Sequence, residues 1–341
     1  MSMDASGKVV CARHAELVQA NLRSLSSGDA ISGGQDITVG NITDEIKDGE
    51  RLIVTFKQMG TCELYPQTIS HNANGSFVVV CGDGEYIVYT AVALRNKTFG
   101  QAQEFVWSST DASVYAIRES NTIIRVRGKD PCWFMPIVFK AFKKVRTFKL
   151  DFGAEQIFGG HLLGVRSSGG LALHDWESGN LIRRIEASPN AIYWNEGGRL
   201  LAICTKEVFY ILRYNADIVA EAEADGSLFK NPEGLETAFE VTKNGEVAES
   251  VITGCWYGDV FIFTSQANRL RYYVGGELVT IAHLDRPMYL LGYLARANRA
   301  YLADRELNLI SYGLQSTVLE YETAVMRGDF VCADNLLPNI P

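Results

Sequence analysis

A unit of apolar strand, polar turn, strongly apolar strand, second turn and third strand recurs six times in this chain. Recurrence at this length constrains the fold more than any other feature, because each unit must bury its faces against the next. One copy reads QTIS, the turn HNANG, FVVVC, GDG and YIVYT; the next reads EFVW, SSTDAS, VYAIRES, NT and IIRVR. A third holds QIFGG, HLLGVRS, LALHDW and LIRRIEA, and a fourth AIYW, RLLAICT, VFYILRY and NADIVAEAE. The fifth is VITGCWYGD, VFIFTS, QANRLRYYV and GGELVTIAH, and the sixth MYLLGYL, AYLAD and LISYG. Equivalent first-strand positions are Ile69, Phe105, Ile157, Ile192, Ile252 and Tyr289, separated by 36, 52, 35, 60 and 37 residues. Three of the steps approach the roughly 40 residues of a four-stranded propeller blade. The two long steps carry insertions near 128–139 (GKDPCWFMPIVF) and 224–240 (ADGSLFKNPEGLETAFE).

Alternating strands joined by short turns of Gly, Asn, Asp and Ser indicate half-buried antiparallel hairpins. Helical periodicity is nearly absent until the end. With the strands Lys8–His14, Glu16–Leu22 and Arg51–Lys57, the pattern predicts an all-β propeller of the WD-repeat type. It should have seven blades of four antiparallel strands, the seventh built partly from the N-terminal region. Radial repetition of this kind leaves few free sheet edges. The Gly- and Ser-rich stretch 26–40 is expected to be a mobile loop. From Ser316 the spacing changes: Val318, Glu322, Val325 and Met326 recur every three or four residues, followed by Gly328–Asp329 and then Phe330, Ala333, Leu336 and Leu337. That is a helical hairpin, and one with an apolar stripe suits the start of a solenoid. The expected division is 1–60 for strands completing the propeller, 61–315 for its core and 316–341 for the solenoid start.

Composition excludes several functions. A net charge of −8 argues against nucleic acid as a partner. No apolar run reaches the roughly 18 residues of a membrane span, and Met1 to Lys8 is not expected to open a signal peptide. Seven dispersed cysteines without a C-x-x-C pair suit reduced, buried thiols. The sequons at Asn41, Asn74 and Asn96 are then chance matches.

Nothing in the motif pattern points to catalysis, a cofactor, a metal or a small-molecule substrate. The five histidines show no H-x-x-x-H spacing, and neither a G-x-S-x-G elbow nor a P-loop occurs. His174-Asp175-Trp176 ends a blade strand, where an Asp serves an intra-blade hydrogen bond. Cys81-Gly82-Asp83-Gly84 and Gly275-Gly276 lie between strands, so they read as tight hairpins rather than phosphate cradles. Arg118, Glu119 and Arg166 fall near strand ends and could line a face. One charge feature stands out. Between Arg125 and Lys149, eight basic residues face a single acid, Asp130, with Trp133, Phe134, Phe139, Phe142 and Phe148 interleaved. Arg125, Arg127, Lys140, Lys143, Lys144 and Arg146 form a candidate patch for anionic lipid or an acidic partner. The plainer reading, a solvated face on an inserted loop, is favoured.

Longer strings carry a resemblance. GTCELYPQTISHN, NGSFVVVCGDGEYIVYTAVALRNKTFG, FGAEQIFGGHLLGVRS, NRLRYYVGGELVTIAHLDRPMYLLGY and LEYETAVMRGDF resemble the second propeller of the beta-prime subunits of the COPI vesicle coat. KDGERL and YAIRESNTI do likewise, and MSMDASGKVV looks like an interior segment of that family. The 128–139 segment and the 26–40 loop are longer than the family pattern. The resemblance implies a cytoplasmic, non-catalytic scaffold, peripheral on Golgi membranes and COPI vesicles in Golgi-to-ER and intra-Golgi transport. It also implies partnership with other coat subunits, the alpha subunit through the solenoid above all. Cargo-signal reading belongs to the family's first propeller, so no cargo residue carries over. A peptide- or ubiquitin-reading adaptor is the alternative; a propeller hydrolase would need a carboxylate or histidine cluster.

Overall fold

A computed structural model describes residues 1–22, 46–128, 143–149 and 153–340. Seven antiparallel sheets follow one another along the chain as the blades of a propeller. Blade 1 holds Ser2–Met3, Lys8–Arg13, Glu16–Asn21 and Lys57–Thr61, and blade 2 holds Thr68–His71, Phe77–Gly82, Glu85–Thr90 and Asn96–Gln101. Blade 3 is Glu104–Trp107, Tyr115–Ser120, Ile123–Gly128 and Lys143–Lys149; blade 4 is Ala154–Phe158, Leu163–Ser167, Gly170–His174 and Leu181–Ile185. Blade 5 comprises Ala191–Trp194, Leu200–Cys204, Phe209–Tyr214 and Phe239–Val247; blade 6 comprises Val251–Tyr257, Val260–Ser265, Arg269–Val274 and Glu277–His283. Blade 7 has three strands, Tyr289–Leu294, Arg299–Ala303 and Leu309–Gly313.

The two-residue period of a strand sends alternate side chains to opposite faces. In a blade both faces are buried. Along Leu200–Cys204, Leu201 and Ile203 enter the cluster shared with Leu171 and Leu173 of blade 4. Ala202 and Cys204 enter the one shared with Phe261 and Phe263 of blade 6. Blade 6 repeats the division, giving Val260 and Ile262 to the seam with blade 7. Every seam of the ring has such a cluster, including Val9 and Leu22 with Tyr301 and Leu309 where blades 1 and 7 meet. The apolar strands are therefore double-sided core.

Indole groups fasten neighbouring blades near the axis. Trp107 closes the first strand of blade 3 and donates to the Ser70 carbonyl of blade 2 at 3.3 Å. Trp256, at the equivalent region of blade 6, donates to the Tyr193 carbonyl of blade 5 at 2.9 Å. Blades 3 and 4 approach closely enough for backbone contact, with Gly160 N donating to Trp107 O (3.2 Å) and Ser109 N to Gly160 O (3.0 Å). Only glycine permits this, since a Cβ on Gly159 would lie 2.2 Å from the Trp107 carbonyl oxygen. The hairpin at Asp83–Gly84 takes positive φ at both residues, 55° and 80°. Asp175 accepts bonds from Glu177 N and Ser178 N, all inside its own turn.

The structure corrects two local assignments. Arg51–Lys57 does not form a strand of blade 1; that strand is Lys57–Thr61. Instead Arg51 bridges antiparallel to Ile310, Leu52 N donates to Leu309 O, and Gly49 N to Ser311 O. The segment thus stands as a partial fourth strand on blade 7. Its alternation is real, with Leu52, Val54 and Phe56 packed into the seam between blades 1 and 7 while Ile53 is 92% exposed. The N-terminal region therefore builds blade 1 whole and also lends an edge to blade 7. The second correction concerns NADIVAEAE, which is not a strand. Ala216–Ala224 is a helix, α1, set between the third and fourth strands of blade 5; Ala and Glu are strong helix formers and Asp217 suits its first turn. The 26–40 stretch, Lys140 and the 128–139 insertion beyond Gly128 lie outside the described residues.

Burial also sets the protonation of interior groups. It pushes the Cys11 thiol up to about 11 and those of Cys204 and Cys255 to about 12. They stay protonated at neutral pH. His71 accepts no such freedom to charge: burial first, then the Lys8 ammonium, lowers it to about 4, with Asp4 partly opposing. His161 and His174 are lowered by burial too. A histidine depressed in the folded state is protonated first in the unfolded chain, so its contribution is intact above about pH 6.5 and is lost on acidification toward its folded value. The thermal midpoint is expected to fall between those limits. In His71→Gln the fall should be shallower; an identical pH profile would remove His71 from the account.

Candidate functional site

After blade 7 the chain forms two helices, α2 (Ser316–Arg327) and α3 (Phe330–Leu336). The way α2 seats on the ring fixes the direction in which the chain leaves it. Its N-terminus has no capping side chain of its own. Asn298, in left-handed conformation at the first turn of blade 7, supplies both partners. Its carbonyl accepts from Leu314 N (2.7 Å) and its side-chain oxygen from Ser316 N (3.0 Å). An Asn suits the position because its side chain tolerates positive φ.

One turn further, Leu319 is fully buried in the core between blades 6 and 7, beside Tyr272 and Leu302. Two tyrosines flank it: Tyr257 Oη donates to Glu320 Oε1 at 2.6 Å and Tyr272 Oη to Glu322 Oε1 at 3.1 Å. Burial, then the bond to Glu320, pushes the Tyr257 hydroxyl up to about 12. At the last turn, Arg327 places Nε and Nη2 at 2.8 and 2.5 Å from Asp259 Oδ2, in the first turn of blade 6. Met326 covers Gly275, where a Cβ would fall 2.4 Å from its Cγ. Gly328, at φ 74°, ends α2 and Asp329 N returns to Ala324 O (2.9 Å). Asp329 then caps α3 through Cys332 N at 3.0 Å. The Gly-Asp pair thus closes one helix and opens the next.

The face that docks coincides only in part with the stripe the spacing singled out: Glu322 meets Tyr272 and Met326 lies over Gly275, but the deepest side chain is Leu319. Leu319 and Ala324 are buried, whereas Val325 and Met326 remain exposed at 36% and 43%. Leu319 lies one position off that stripe, and its partners in blades 6 and 7 are distant in sequence. On α3, Ala333 is buried, but Phe330 and Val331 are 64% and 75% exposed. Leu337 just beyond is 53% exposed. The hairpin is therefore anchored on its first helix and open along its second.

Two of the basic residues named as a candidate patch, Arg125 and Arg127, make contacts of their own within the ring. Arg125 pairs with Glu119 (2.6 Å), and Arg127 donates to the Tyr86 hydroxyl (3.2 Å) at the seam with blade 2. Lys144 lies in register with Arg127, Arg146 with Val126 and Lys143 with Gly128. Arg118 does not line a face; it is buried, with Nε 2.9 Å from Glu104 Oε2. Glu104 in turn accepts from Ile157 N of blade 4 (2.9 Å). Arg166 donates to the Pro189 carbonyl (2.7 Å). These charges hold strands together. Among the described residues, no group of three His, Cys, Asp or Glu side chains could hold a metal, and no helix is long and apolar enough to cross a membrane.

The chain matches a family model described as the COPA/B second beta-propeller over residues 34–304. It is 56% identical over 342 residues to coatomer subunit beta' of Homo sapiens, a match covering 100% of this chain and 34% of that protein. The Drosophila melanogaster coatomer subunit beta' is 50% identical over the same length, with the same coverages. The chain thus spans about a third of the length of these curated relatives. Among solved structures, the beta-propeller domain of Myceliophteria thermophila Cps50 (Swd1) superposes with a TM-score of 0.57 at 9% identity, covering 91% of this chain and 94% of that one. Kluyvelomyces marxianus Hsv2 gives 0.50 at 9% identity, covering 92% and 96%. Identity that low establishes a shared fold only.

Two outcomes follow from the docking. Truncating a buried Leu typically costs about 2–5 kcal/mol. Leu319→Ala should release α2 and α3, seen as faster amide exchange over 316–337 with blades 1–5 unchanged; unaltered exchange there would contradict the anchoring role. The Glu322 carboxyl is raised by burial, with the Tyr272 hydroxyl partly opposing. A carboxyl raised in the folded state takes up its proton there first, so it costs stability as pH rises through its titration and least in acid. Glu322→Gln keeps an oxygen for Tyr272 and should be neutral to mildly stabilising at pH 7. That gain should vanish by about pH 4; a loss at pH 7 would show that the carboxylate charge is needed.

Proposed function

Because the chain belongs to the COPA/B second beta-propeller family, we propose that it serves as a structural and protein-interaction module of the COPI coat, in retrograde and intra-Golgi vesicle transport. The observation that carries this reading is the hairpin: α2 is fastened by Leu319, two tyrosines and an ion pair, while α3 presents Phe330, Val331 and Leu337 to solvent. Such a rigid seat with an open helical face suits a ring that launches a helical solenoid. Stacked helical repeats bury each unit against the next, which accounts for an exposed apolar side on the first pair. Through that solenoid the subunit would join other coatomer subunits, the alpha subunit in particular. It would act in the cytoplasm, peripheral on Golgi membranes and coated vesicles, without catalysis of its own.

Support comes from the identity to coatomer subunit beta' over the whole chain and from seams that make the ring rigid. The test is affinity capture of the tagged longer subunit from cytosol, followed by mass spectrometry. Co-recovery of other coat subunits is expected, and Leu319→Ala should reduce it. Recovery of cargo tails or ubiquitinated proteins without coat subunits would overturn the reading in favour of an adaptor.

A further inference from the structure

The deepest departure from a plain propeller lies on the face that carries the hairpin. There, α1, inserted in blade 5, and α2, following blade 7, stand on either side of the seam between blades 5 and 6. Between them runs a cleft of about 930 Å³, larger than the central channel at about 620 Å³. Both walls come from elements the ring does not need for closure. Each is fixed to it: Asn215 N donates to Ala238 O at 2.9 Å at the foot of α1, and Arg327 grips Asp259 at the end of α2. The cleft is a built feature, not slack between blades.

Its chemistry is two-fold. Each wall contributes one exposed apolar side chain, Ile218 from α1 at 40% and Met326 from α2 at 43%. The floor and rim carry Arg199, Arg213 and Lys243. All three are exposed, and none makes an ion pair within 4.0 Å among the described residues, although Arg213 stands in register with Glu240. The remaining charges are Arg327, neutralised by Asp259, and Asp217 in the first turn of α1. The cleft thus holds a positive excess in a chain of net charge −8.

We propose that this cleft binds a short acidic peptide segment of a partner protein, with apolar residues seated against Ile218 and Met326 and carboxylates facing Arg199, Arg213 and Lys243. Charge complementarity argues for an acidic occupant, and the paired apolar walls argue for anchor side chains rather than a bare anion. The cations lie between two helices, where a flat membrane surface reaches them less well than an extended chain does. Apolar anchors in a groove with a charged rim are the general pattern of peptide recognition.

The experiment uses the chain as it is and a fluorescein-labelled peptide, Glu-Asp-Leu-Asp-Phe-Glu-Asp, followed by anisotropy. Saturable binding is expected, weakening between about 50 and 250 mM salt as exposed charges are screened. The neutral counterpart with Gln and Asn should bind far less. Arg199→Gln/Arg213→Gln/Lys243→Gln should lower affinity about tenfold or more, on the order of 1.4 kcal/mol. Ile218→Asp should lower it comparably, and Arg296→Gln, away from the cleft, should not. All substitutions are at exposed side chains, and unchanged thermal midpoints confirm folding. Absence of saturable binding, or binding that survives the triple substitution, overturns the proposal. So does cleft-dependent binding to anionic liposomes without peptide binding, which would assign the cations to a membrane. None of these outcomes bears on coat assembly, which capture of coat subunits tests separately.

Discussion

A blade of this ring has two apolar faces, and no blade can bury both by itself. The whole structure depends on each seam being filled from both sides, and above all on the seam where the last blade meets the first. Six of the seams join blades that are consecutive in sequence, so the linking chain holds the partners near one another. The seventh has no such tether. Val9 and Leu22 on one side and Tyr301 and Leu309 on the other must associate without a linking chain, through their burial, with Gly292 leaving room for Met3. Fully burying a large apolar side chain contributes about 1.5–3 kcal/mol, so a handful of residues can hold this junction.

The crossing segment strengthens that junction. Blade 7 ends on Leu309–Gly313 and would expose an unpaired edge, a liability in any sheet. The chain between the third and fourth strands of blade 1 passes across to cover it. Asp48 accepts from Gly313 N (2.8 Å) and from Arg299 Nη2 (2.5 Å), and Gly49 and Leu52 complete the pairing. Ring closure is thus achieved with blade 1 intact, by an excursion from it rather than by surrender of one of its strands.

The repeat and the hairpin turns were legible because they are local and periodic, whereas the alternation read as half-buried strands belongs to strands buried on both faces. The positions Ile69, Phe105, Ile157, Ile192, Ile252 and Tyr289 recur at innermost strands, and the turn glycines sit where positive φ is required. Two things were not legible. Ala216–Ala224 followed a strongly apolar strand, and its Ala-Glu run was read as a continuation of that blade; propensity alone would have identified a helix. Leu319 was missed for another reason. Helical spacing picks out a stripe, but which stripe docks depends on the cavity between blades 6 and 7, built from residues 260–310.

These observations give the non-propeller elements a common logic. The ring is symmetric in outline, so its seams look alike and offer little by which one direction could be told from another. Asymmetry enters through what is added at the turns on one face: α1 in blade 5, the Gly275 turn under Met326, and the docked hairpin beyond blade 7. All fall against blades 5, 6 and 7. Because α2 is held at its start by Asn298, in its middle by Leu319 and at its end by Asp259, it has no remaining freedom to swivel about any single contact. Three separated anchors fix an axis where one would leave a pivot. A rigid ring with a fixed exit axis transmits its orientation to whatever follows α3, and a structural module requires that property more than any single side chain of its surface.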